Sequence, residues 1–350
     1  MACVRTIETG AVYFNVTHDD NVVAVAYSRT GVIKVRDMRT GRDIRTIDDY
    51  EATSIALSPS APLLAATRRF DFNVYVWDYT TNARATVLRG HTDIAICAAF
   101  SPDGRLLIST AFGGIVRLWR TDDWAAPSVV LKQADAHPAN LRTPSGFSRD
   151  SRWMAFNSSC HGCQLWHVAP DLAVTPAGFL DIRHLTLIAV HPEGRLLAVC
   201  MDILPTVHLV SVNNGTIGGV VHELKHVEPL HALAFSPCGR QLAVGCGRHV
   251  RLWDVATGAR IRSLQGGVDN VRRIAYILQG KQLLATTYTG DIQMFTMCPW
   301  SDHTHHLFGS NVRSQVFQLM CVRAQLMSQW DVNIPIELWL MVLVRVVRSL

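Results

Sequence analysis

Short apolar segments separated by polar turns follow one another along most of the chain. In the clearest copy, an apolar run at 98–100 leads through a Ser-Pro-Asp-Gly turn to residues 116–119, where apolar and polar side chains alternate. Alternation with a period of two predicts a half-buried β-strand, whereas a short run that is apolar throughout predicts a strand covered on both faces. With the turn residues as boundaries, the pattern predicts strands at 94–100, 106–110, 115–119 and 128–132.

The four-strand unit is repeated, and each copy can be followed from the residue near the end of its third strand. These anchor residues are Arg36, Trp77, Trp119, Trp166, Val210, Trp253 and Phe295. They are separated by about 41 to 47 residues, an interval typical of repeats that form the blades of a propeller. Seven copies of this all-β unit predict a seven-bladed β-propeller of four-stranded antiparallel blades over residues 1–297.

The motifs at the strand ends give the chain a family resemblance. They are Gly90-His91, the Ser-Pro pairs at 58–59, 101–102 and 236–237, the pair Trp77-Asp78, and the run Trp253-Asp254-Val255-Ala256-Thr257-Gly258. Repeated in register, they resemble the motifs of WD-repeat β-propellers, and the resemblance covers residues 2–297. It implies that an N-terminal strand at 3–8 completes the last blade by pairing with 291–296, which leaves no long edge unpaired.

The resemblance also implies a buried polar network inside each blade. In the third blade His91, Ser109 and Trp119 match three members of the family's His, Ser/Thr, Asp and Trp set, while Gly113 stands in place of the Asp. A polar network that is only partly present specifies a structure less sharply, so we expect apolar packing between blades to dominate the stability. His91 is expected to be structural and not a general base.

In this family one face of the ring commonly holds peptides, namely the face formed by the turns after each second strand and the loops before each first strand. Arginine and aromatic side chains concentrate binding energy at interfaces, and the matching turns of this chain are rich in both. The candidate peptide-binding residues are Arg29, Arg68, Phe70, Phe72, Phe112, Leu204, Arg248 and Tyr288.

The repeated pattern of strands and turns ends at Met297. A polar linker is predicted at 298–311, followed by apolar residues at helical spacing from Val312 and a second helix that begins at Pro335. This second helix has almost no polar face, and a helix that is apolar on all sides must be buried against something. One hypothesis is that 312–350 forms a helical hairpin packed on the ring.

A second hypothesis for the tail comes from resemblance. The segment 334–343 resembles the opening helix of an F-box, and the longer stretch from Val316 is similar to a SOCS box, with Phe317 where that family has Leu. Both resemblances imply docking on a ubiquitin-ligase adaptor. The candidate docking residues are Pro335, Glu337, Leu338, Trp339, Val342 and Leu343.

Composition narrows the functional classes. The 350 residues are 49% hydrophobic and 17% charged, with a formal net charge of +5, and only four of the 33 basic residues are lysines. The basic residues are scattered and form no stripe, which disfavours a nucleic-acid partner. No apolar stretch reaches the length of a membrane span or forms a secretory signal, and nine cysteines fit reduced thiols. These features predict a cytoplasmic protein, with the nucleus as the alternative, and no membrane partner.

The candidate metal and catalytic motifs are weak. Cys160-His161-Gly162-Cys163 is predicted to form the turn between the second and third strands of blade 4, and it supplies at most three ligands where closed zinc sites use four. Cys298 and the histidines at 303, 305 and 306 belong to the polar linker. The sequence contains neither a phosphate-binding loop nor a hydrolase motif. No enzyme activity, cofactor, metal site or small-molecule substrate is therefore expected.

These observations predict a non-catalytic scaffold that binds a protein or peptide ligand on one propeller face. A refinement makes it a substrate receptor of a cullin-type ubiquitin ligase, with the C-terminal helices bound to the adaptor. The alternative is a purely structural subunit of a larger complex, whose tail packs on the ring.

Overall fold

The computed structural model describes residues 4–6, 11–16, 22–27, 31–37, 40, 42–48, 52–81, 83–112, 114–131, 146–158, 162–181, 185–201, 205–265 and 269–297. In these ranges the strands form seven four-stranded antiparallel sheets, which confirms the predicted seven-bladed propeller. The predicted linker at 298–311 and the predicted helical tail at 312–350 lie outside the described residues.

The blades follow one another along the chain. Blades 1 to 3 contain β2 (Ala11–Val16), β3 (Val22–Tyr27), β4 (Val32–Asp37), β5 (Asp43–Asp48), β6 (Ala52–Leu57), β7 (Leu63–Arg68), β8 (Val74–Asp78), β9 (Ala83–Leu88), β10 (Ala95–Phe100), β11 (Leu106–Ala111), β12 (Val116–Arg120) and β13 (Val129–Leu131). Blades 4 to 6 contain β14 (Gly146–Phe147), β15 (Trp153–Ser158), β16 (Gly162–Val168), β17 (Val174–Leu180), β18 (Leu185–Val190), β19 (Leu196–Met201), β20 (Thr206–Asn213), β21 (Thr216–Lys225), β22 (Leu230–Phe235), β23 (Gln241–Cys246), β24 (His249–Asp254) and β25 (Arg260–Gln265). Blade 7 contains β26 (Val271–Ile277), β27 (Gln282–Thr287), β28 (Ile292–Thr296) and, from the other end of the chain, β1 (Val4–Thr6).

The ring is closed by the N-terminal strand, as predicted. β1 pairs antiparallel with β28, with Val4 opposite Phe295 and Thr6 opposite Gln293. This pairing gives the last blade its fourth strand and covers the backbone edge of β28, which would otherwise be open to another chain.

The core lies between the blades. Among the described residues seven apolar clusters form, one at each junction of neighbouring blades. The cluster between blades 2 and 3 contains Val76 and Trp119, and the cluster that joins blade 7 to blade 1 contains Val25, Leu284 and Ile292. Because each blade buries its faces only against its neighbours, stability comes from the completed ring, as in other stacked repeats.

Polar side chains close the turns where the sequence repeats most clearly. In blade 3 the Ser101 hydroxyl donates to the Asp103 carboxylate at 2.5 Å and accepts the backbone N–H of Leu106 at 2.9 Å. At the end of β24, Asp254 accepts the backbone N–H and the hydroxyl of Thr257, both at 2.9 Å. These bonds satisfy groups that the turns would leave unpaired, and this role explains why Ser-Pro and Trp-Asp recur.

Two cysteines lie in strands and not in turns. Cys246 is the last residue of β23 and is buried. Gly162 and Cys163 belong to β16 and not to the predicted Cys-His-Gly-Cys turn, whose first two residues lie outside the described ones. Both thiols face the interior as small apolar groups, and burial raises the pKa of Cys163. The strands of blade 3 end within one residue of their predicted bounds.

Candidate functional site

Hydrogen bonds between turns and loops define the face that carries the predicted binding residues. The N–H groups of Phe112 and Tyr288 each donate to the loop before the first strand of their own blade, at 2.9 and 3.1 Å. The carbonyl of Asp71, in the corresponding turn of blade 2, accepts the N–H that begins β10 at 2.8 Å. In an antiparallel blade these turns and loops lie at the same end. We call this surface the aromatic face, defined by residues 69–73, 112, 247–248 and 288–291.

Two phenylalanines project into solvent from the turn of blade 2. Phe70 is 70% exposed and Phe72 is 47% exposed. Phe70 has a φ of 60°, in the left-handed region that side chains other than glycine rarely adopt. A backbone in this conformation persists only where neighbouring contacts hold it.

Asp71 supplies those contacts. One of its carboxylate oxygens accepts the backbone N–H and the side-chain amide of Asn73 at 2.9 and 2.7 Å, and the other accepts the Tyr75 hydroxyl at 2.7 Å. Burial pushes the pKa of Asp71 up, but the bonds from Tyr75 and Asn73 outweigh it, and the pKa lies below its ordinary value. The guanidinium of half-buried Arg68 lies 3.8 Å from the centre of the Tyr75 ring. Arg68 therefore braces the base of the turn.

Tyr288 is the exposed aromatic residue of blade 7, with 48% of its surface in solvent. Its ring meets His231 edge to face at 5.5 Å between centroids, and the Arg272 guanidinium lies 5.5 Å from its centre. Burial lowers the pKa of His231, although Asp269 opposes the shift. Tyr288 thus presents an aromatic surface that two neighbours hold in place.

Five described members of the predicted binding set lie on the aromatic face: Phe70, Phe72, Arg248 and Tyr288 are exposed, and Phe112 is half-buried. The sixth, Arg68, is the half-buried last residue of β7, and it supports the turn through the Tyr75 ring. Several predicted residues lie outside the described ones: Arg29, Leu204, Pro335, Glu337, Leu338, Trp339, Val342 and Leu343. A binding role for any of them stays a prediction. The supporting residues Asp71, His231 and Arg272 were not predicted. Only Asp71 had a local signal in the sequence, the Asp-x-Asn spacing typical of a side-chain-capped turn.

His91, Ser109 and Trp119 meet in the core of blade 3, as the sequence predicted. The Trp119 indole N–H donates to the Ser109 hydroxyl at 2.8 Å, and Nε2 of His91 lies 2.6 Å from the same oxygen. Burial, together with the nearby charge of Arg117, lowers the pKa of His91 to about 4. A buried and neutral imidazole with these partners holds the blade together, which supports its structural role.

Blade 6 keeps the histidine and the tryptophan but lacks the hydroxyl between them. Val244 stands two residues after the partner of the tryptophan, as Ser109 does in blade 3. His226 and Trp253 lie 5.2 Å apart, and the buried Nε2 of His226 and Nε1 of Trp253 have no hydrogen-bond partner among the described residues. The polar bridge of blade 3 is therefore absent from blade 6, where the two rings meet by packing and Nδ1 of His226 lies 3.3 Å from Nη1 of Arg251.

Within the described ranges, no group of three or more His, Cys, Asp or Glu side chains is placed to hold a metal ion. The predicted linker residues Cys298, His303, His305 and His306 lie outside those ranges. The described part of the chain also contains no helix that is long and apolar enough to cross a membrane.

The closed ring of seven four-stranded antiparallel blades defines the class of the protein, a β-propeller. Two segments, 83–120 and 218–254, match the model of the WD40 family, described as WD domain, G-beta repeat. These two segments are therefore similar to WD40 repeats. Each match begins in the fourth strand of one blade and ends with the third strand of the next. This offset of one strand explains why the N-terminal strand must complete blade 7.

Curated relatives share parts of this repeat region. Protein LST8 homolog of Drosophila melanogaster is 30% identical over 117 residues, which are 31% of this chain and 37% of that protein. WD repeat and SOCS box-containing protein 1 of Xenopus tropicalis is 31% identical over 114 residues, which are 32% of this chain and 27% of that protein. The chain thus spans well under half the length of either relative.

A solved structure supports the fold. The crystal structure of the Myceliophteria thermophila Cps50 (Swd1) β-propeller domain matches with a TM-score of 0.69 and covers 84% of this chain and 98% of its own. The sequence identity of 15% limits this likeness to the fold.

Proposed function

We propose that the protein is a non-catalytic scaffold that binds a protein or peptide through the aromatic face. The observation that carries the proposal is the exposed pair Phe70 and Phe72, held on a turn that Asp71 fixes. Covering an exposed phenylalanine fully contributes about 1.5–3 kcal/mol, and a fixed turn loses little conformational entropy when a partner binds. Tyr288 and Arg248 extend the same kind of surface to blades 7 and 6.

A purely structural subunit is the second candidate, but it gives no reason for this pair. A non-glycine residue with positive φ is held against a conformational cost of about 1–3 kcal/mol. At Phe70 the residue with this conformational cost has an aromatic ring that points into solvent. Such an arrangement is explained by a partner that covers the ring.

The full chain with F70A/F72A tests the proposal in a quantitative affinity purification. The matched control is V220A/V221A on the outer strand β21, where the two valines are 51% and 50% exposed. Exposed truncations change the unfolding free energy by less than about 0.5 kcal/mol, so both variants should stay folded. We expect the phenylalanine variant alone to lose partners. Equal partner sets for both variants and the parent protein would contradict the proposal.

The finer proposal is that this scaffold is the substrate receptor of a cullin-type ubiquitin ligase. It rests on the predicted docking residues of the tail, such as Leu338 and Trp339, and on the likeness to a relative whose name includes a SOCS box. In the full chain, L338D/W339D should remove the ligase adaptor and leave the partner of the aromatic face bound. F70A/F72A should have the reverse effect. If L338D/W339D lowers the melting temperature and no adaptor binds to the parent protein, the tail is structural.

A further inference from the structure

The face opposite the aromatic face carries a groove formed by three neighbouring blades. It lies where the turns between the first and second strands of blades 4, 5 and 6 meet, at 148–152, 191–195 and 236–240. The groove has a volume of about 550 Å³, and its walls include three arginines, one glutamate, one cysteine and two prolines. Sites of this size hold small ligands or single side chains of a partner.

The backbone of the three turns is tied together, so the groove is formed in advance. The N–H of Arg149 donates to the carbonyl of Pro192 at 2.8 Å, and its Nη1 lies 3.4 Å from the carbonyl of Pro237. Nε2 of His191 lies 3.2 Å from the carbonyl of Gly239. A preformed site loses little free energy to ordering when a ligand binds.

The groove carries uncompensated positive charge. Arg195 and Glu193 form an ion pair, with Nε and Oε2 3.2 Å apart. Arg149 and Arg240 are exposed, and neither guanidinium has a carboxylate partner among the described residues. Two like charges on one concave surface create a field that favours an anion.

The repeat provides an internal reference that shows how this charge arises. The third residue of the turn is acidic in blades 3, 4 and 5, at Asp103, Asp150 and Glu193, but the same position in blade 6 is Cys238. The second residue is proline in blades 2, 3, 5 and 6 but Arg149 in blade 4. One departure removes a negative charge and the other adds a positive one. Both line the same groove.

We propose that this groove binds a phosphate monoester, such as a phosphoserine side chain, through Arg149 and Arg240. A monoester carries a charge of about −1.5 to −2 at neutral pH, which matches two guanidinium groups that have no carboxylate partner among the described residues. Guanidinium groups bind phosphate oxygens through parallel hydrogen bonds. The small side chain of Cys238 leaves space where a carboxylate would repel the ligand. A polynucleotide fits less well, because its phosphates need a stripe of basic residues and not a single pair.

The test uses the full chain and variants that change the charge of the groove. R149A/C238D removes the added positive charge and returns the acidic residue of the other blades, while it keeps the backbone N–H of residue 149 that bonds to the carbonyl of Pro192. R149A/R240A removes the guanidinium groups directly. The matched control is R105A, because Arg105 holds the turn position of Arg240 in blade 3, outside the groove, and bonds to the carbonyl of Pro170. Calorimetric titration compares a phosphoserine peptide, its unphosphorylated form, inorganic phosphate and a single-stranded oligonucleotide at constant ionic strength.

We expect the phosphoserine peptide to bind the parent protein and R105A equally, and to bind both groove variants at least tenfold more weakly. Competition between inorganic phosphate and the peptide would support recognition of the phosphate group itself. Tighter binding of the peptide than of inorganic phosphate would identify a phosphorylated protein, and not free phosphate, as the ligand. The proposal is overturned if the unphosphorylated peptide binds as well, if the groove variants keep their affinity, or if the oligonucleotide binds more tightly than the peptide.

The alkylation rate of Cys238, which lines the groove, gives a second measurement of binding. Cys238 is exposed, and its pKa lies below the ordinary value because bonds and charge from Ser236 and Arg240 outweigh the opposing effect of burial. Its alkylation by neutral iodoacetamide can be followed on its own peptide by mass spectrometry. The phosphoserine peptide should slow this reaction severalfold in the parent protein and not in R149A/R240A; an equal rate in the presence and absence of the peptide would refute binding in the groove. F70A/F72A should not change the result, because those residues lie on the other face.

Discussion

The Ser109 bridge makes a contribution to stability that a single substitution measures. Ser109→Ala removes the acceptor of the Trp119 indole N–H and the partner of the His91 imidazole. Ser109 is 0% exposed and the two rings are each 6% exposed, so water cannot readily replace the lost hydroxyl. A buried polar group left without a partner costs about 1–3 kcal/mol. With two such groups, we expect S109A to lower the free energy of unfolding by about 2–6 kcal/mol.

The neighbouring residue provides a matched control. Thr110 follows Ser109 on β11 and is 4% exposed, but its hydroxyl has no hydrogen-bond partner among the described residues. Thr110→Val keeps the shape and removes an unsatisfied group, so it should be neutral or stabilising. Urea denaturation, monitored by tryptophan fluorescence, gives the unfolding free energies of both variants if the dependence of the free energy on urea concentration is the same for each. An S109A variant that is no less stable than T110V would show that the Ser109 bridge does not stabilise blade 3.

The blade 6 pair, the two buried histidines and a glycine in a turn each allow a further test. Val244→Thr should place a hydroxyl between the ring nitrogens of blade 6 and raise the free energy of unfolding by about 1 kcal/mol in urea titrations; a decrease would show that the site cannot accept the oxygen. Burial lowers the pKa of His91 and His226 from 6.5 to about 4. The unfolded chain therefore binds protons in this window that the native state does not, and stability should fall as the pH falls, by about 1.4 kcal/mol per pH unit for each histidine. Unfolding free energies measured from pH 7 to pH 4.5 check this slope, which a flat profile would contradict. Gly239 has a φ of 71°, and a Cβ there would lie 2.2 Å from an imidazole of the preceding blade; G239A should lower the melting temperature, unlike the control G219A, where a Cβ meets nothing within 4 Å.

The architecture could be predicted from the sequence because every blade repeats the same local chemistry. Turn residues such as Ser101 and Asp254 satisfy backbone groups through side chains a few positions away, and such short-range bonds leave a fixed spacing in the sequence. Closure by β1 was predictable for a related reason. The seventh unit has only three strands of its own, so the N-terminal segment was needed to complete it.

The candidate site was only partly predictable, because its supporting contacts join residues with no common period. Tyr288 is held by His231, which lies 57 positions earlier in another blade. The left-handed conformation of Phe70 has no signal in its residue type, since phenylalanine rarely adopts it. The groove on the opposite face is formed by three turns from different blades. Nothing in the spacing of the sequence predicts the contact between Arg149 of blade 4 and Pro237 of blade 6.

Departures from the repeat have different consequences in the core and on the surface. Val244 is fully buried, so Val244→Thr leaves the surface unchanged. The added hydroxyl would give a hydrogen-bond partner to two buried ring nitrogens that lack one. Arg149 and Cys238 are exposed, so R149A/C238D changes the surface charge and little packing. V244T should therefore raise the melting temperature and leave phosphopeptide affinity unchanged, while R149A/C238D should lower the affinity and leave the melting temperature within a degree or two, given that about 1 kcal/mol corresponds to a few degrees. A changed phosphopeptide affinity in V244T, or a melting temperature of the groove variant that differs by more than a few degrees from that of the parent protein, would contradict this division between folding and binding.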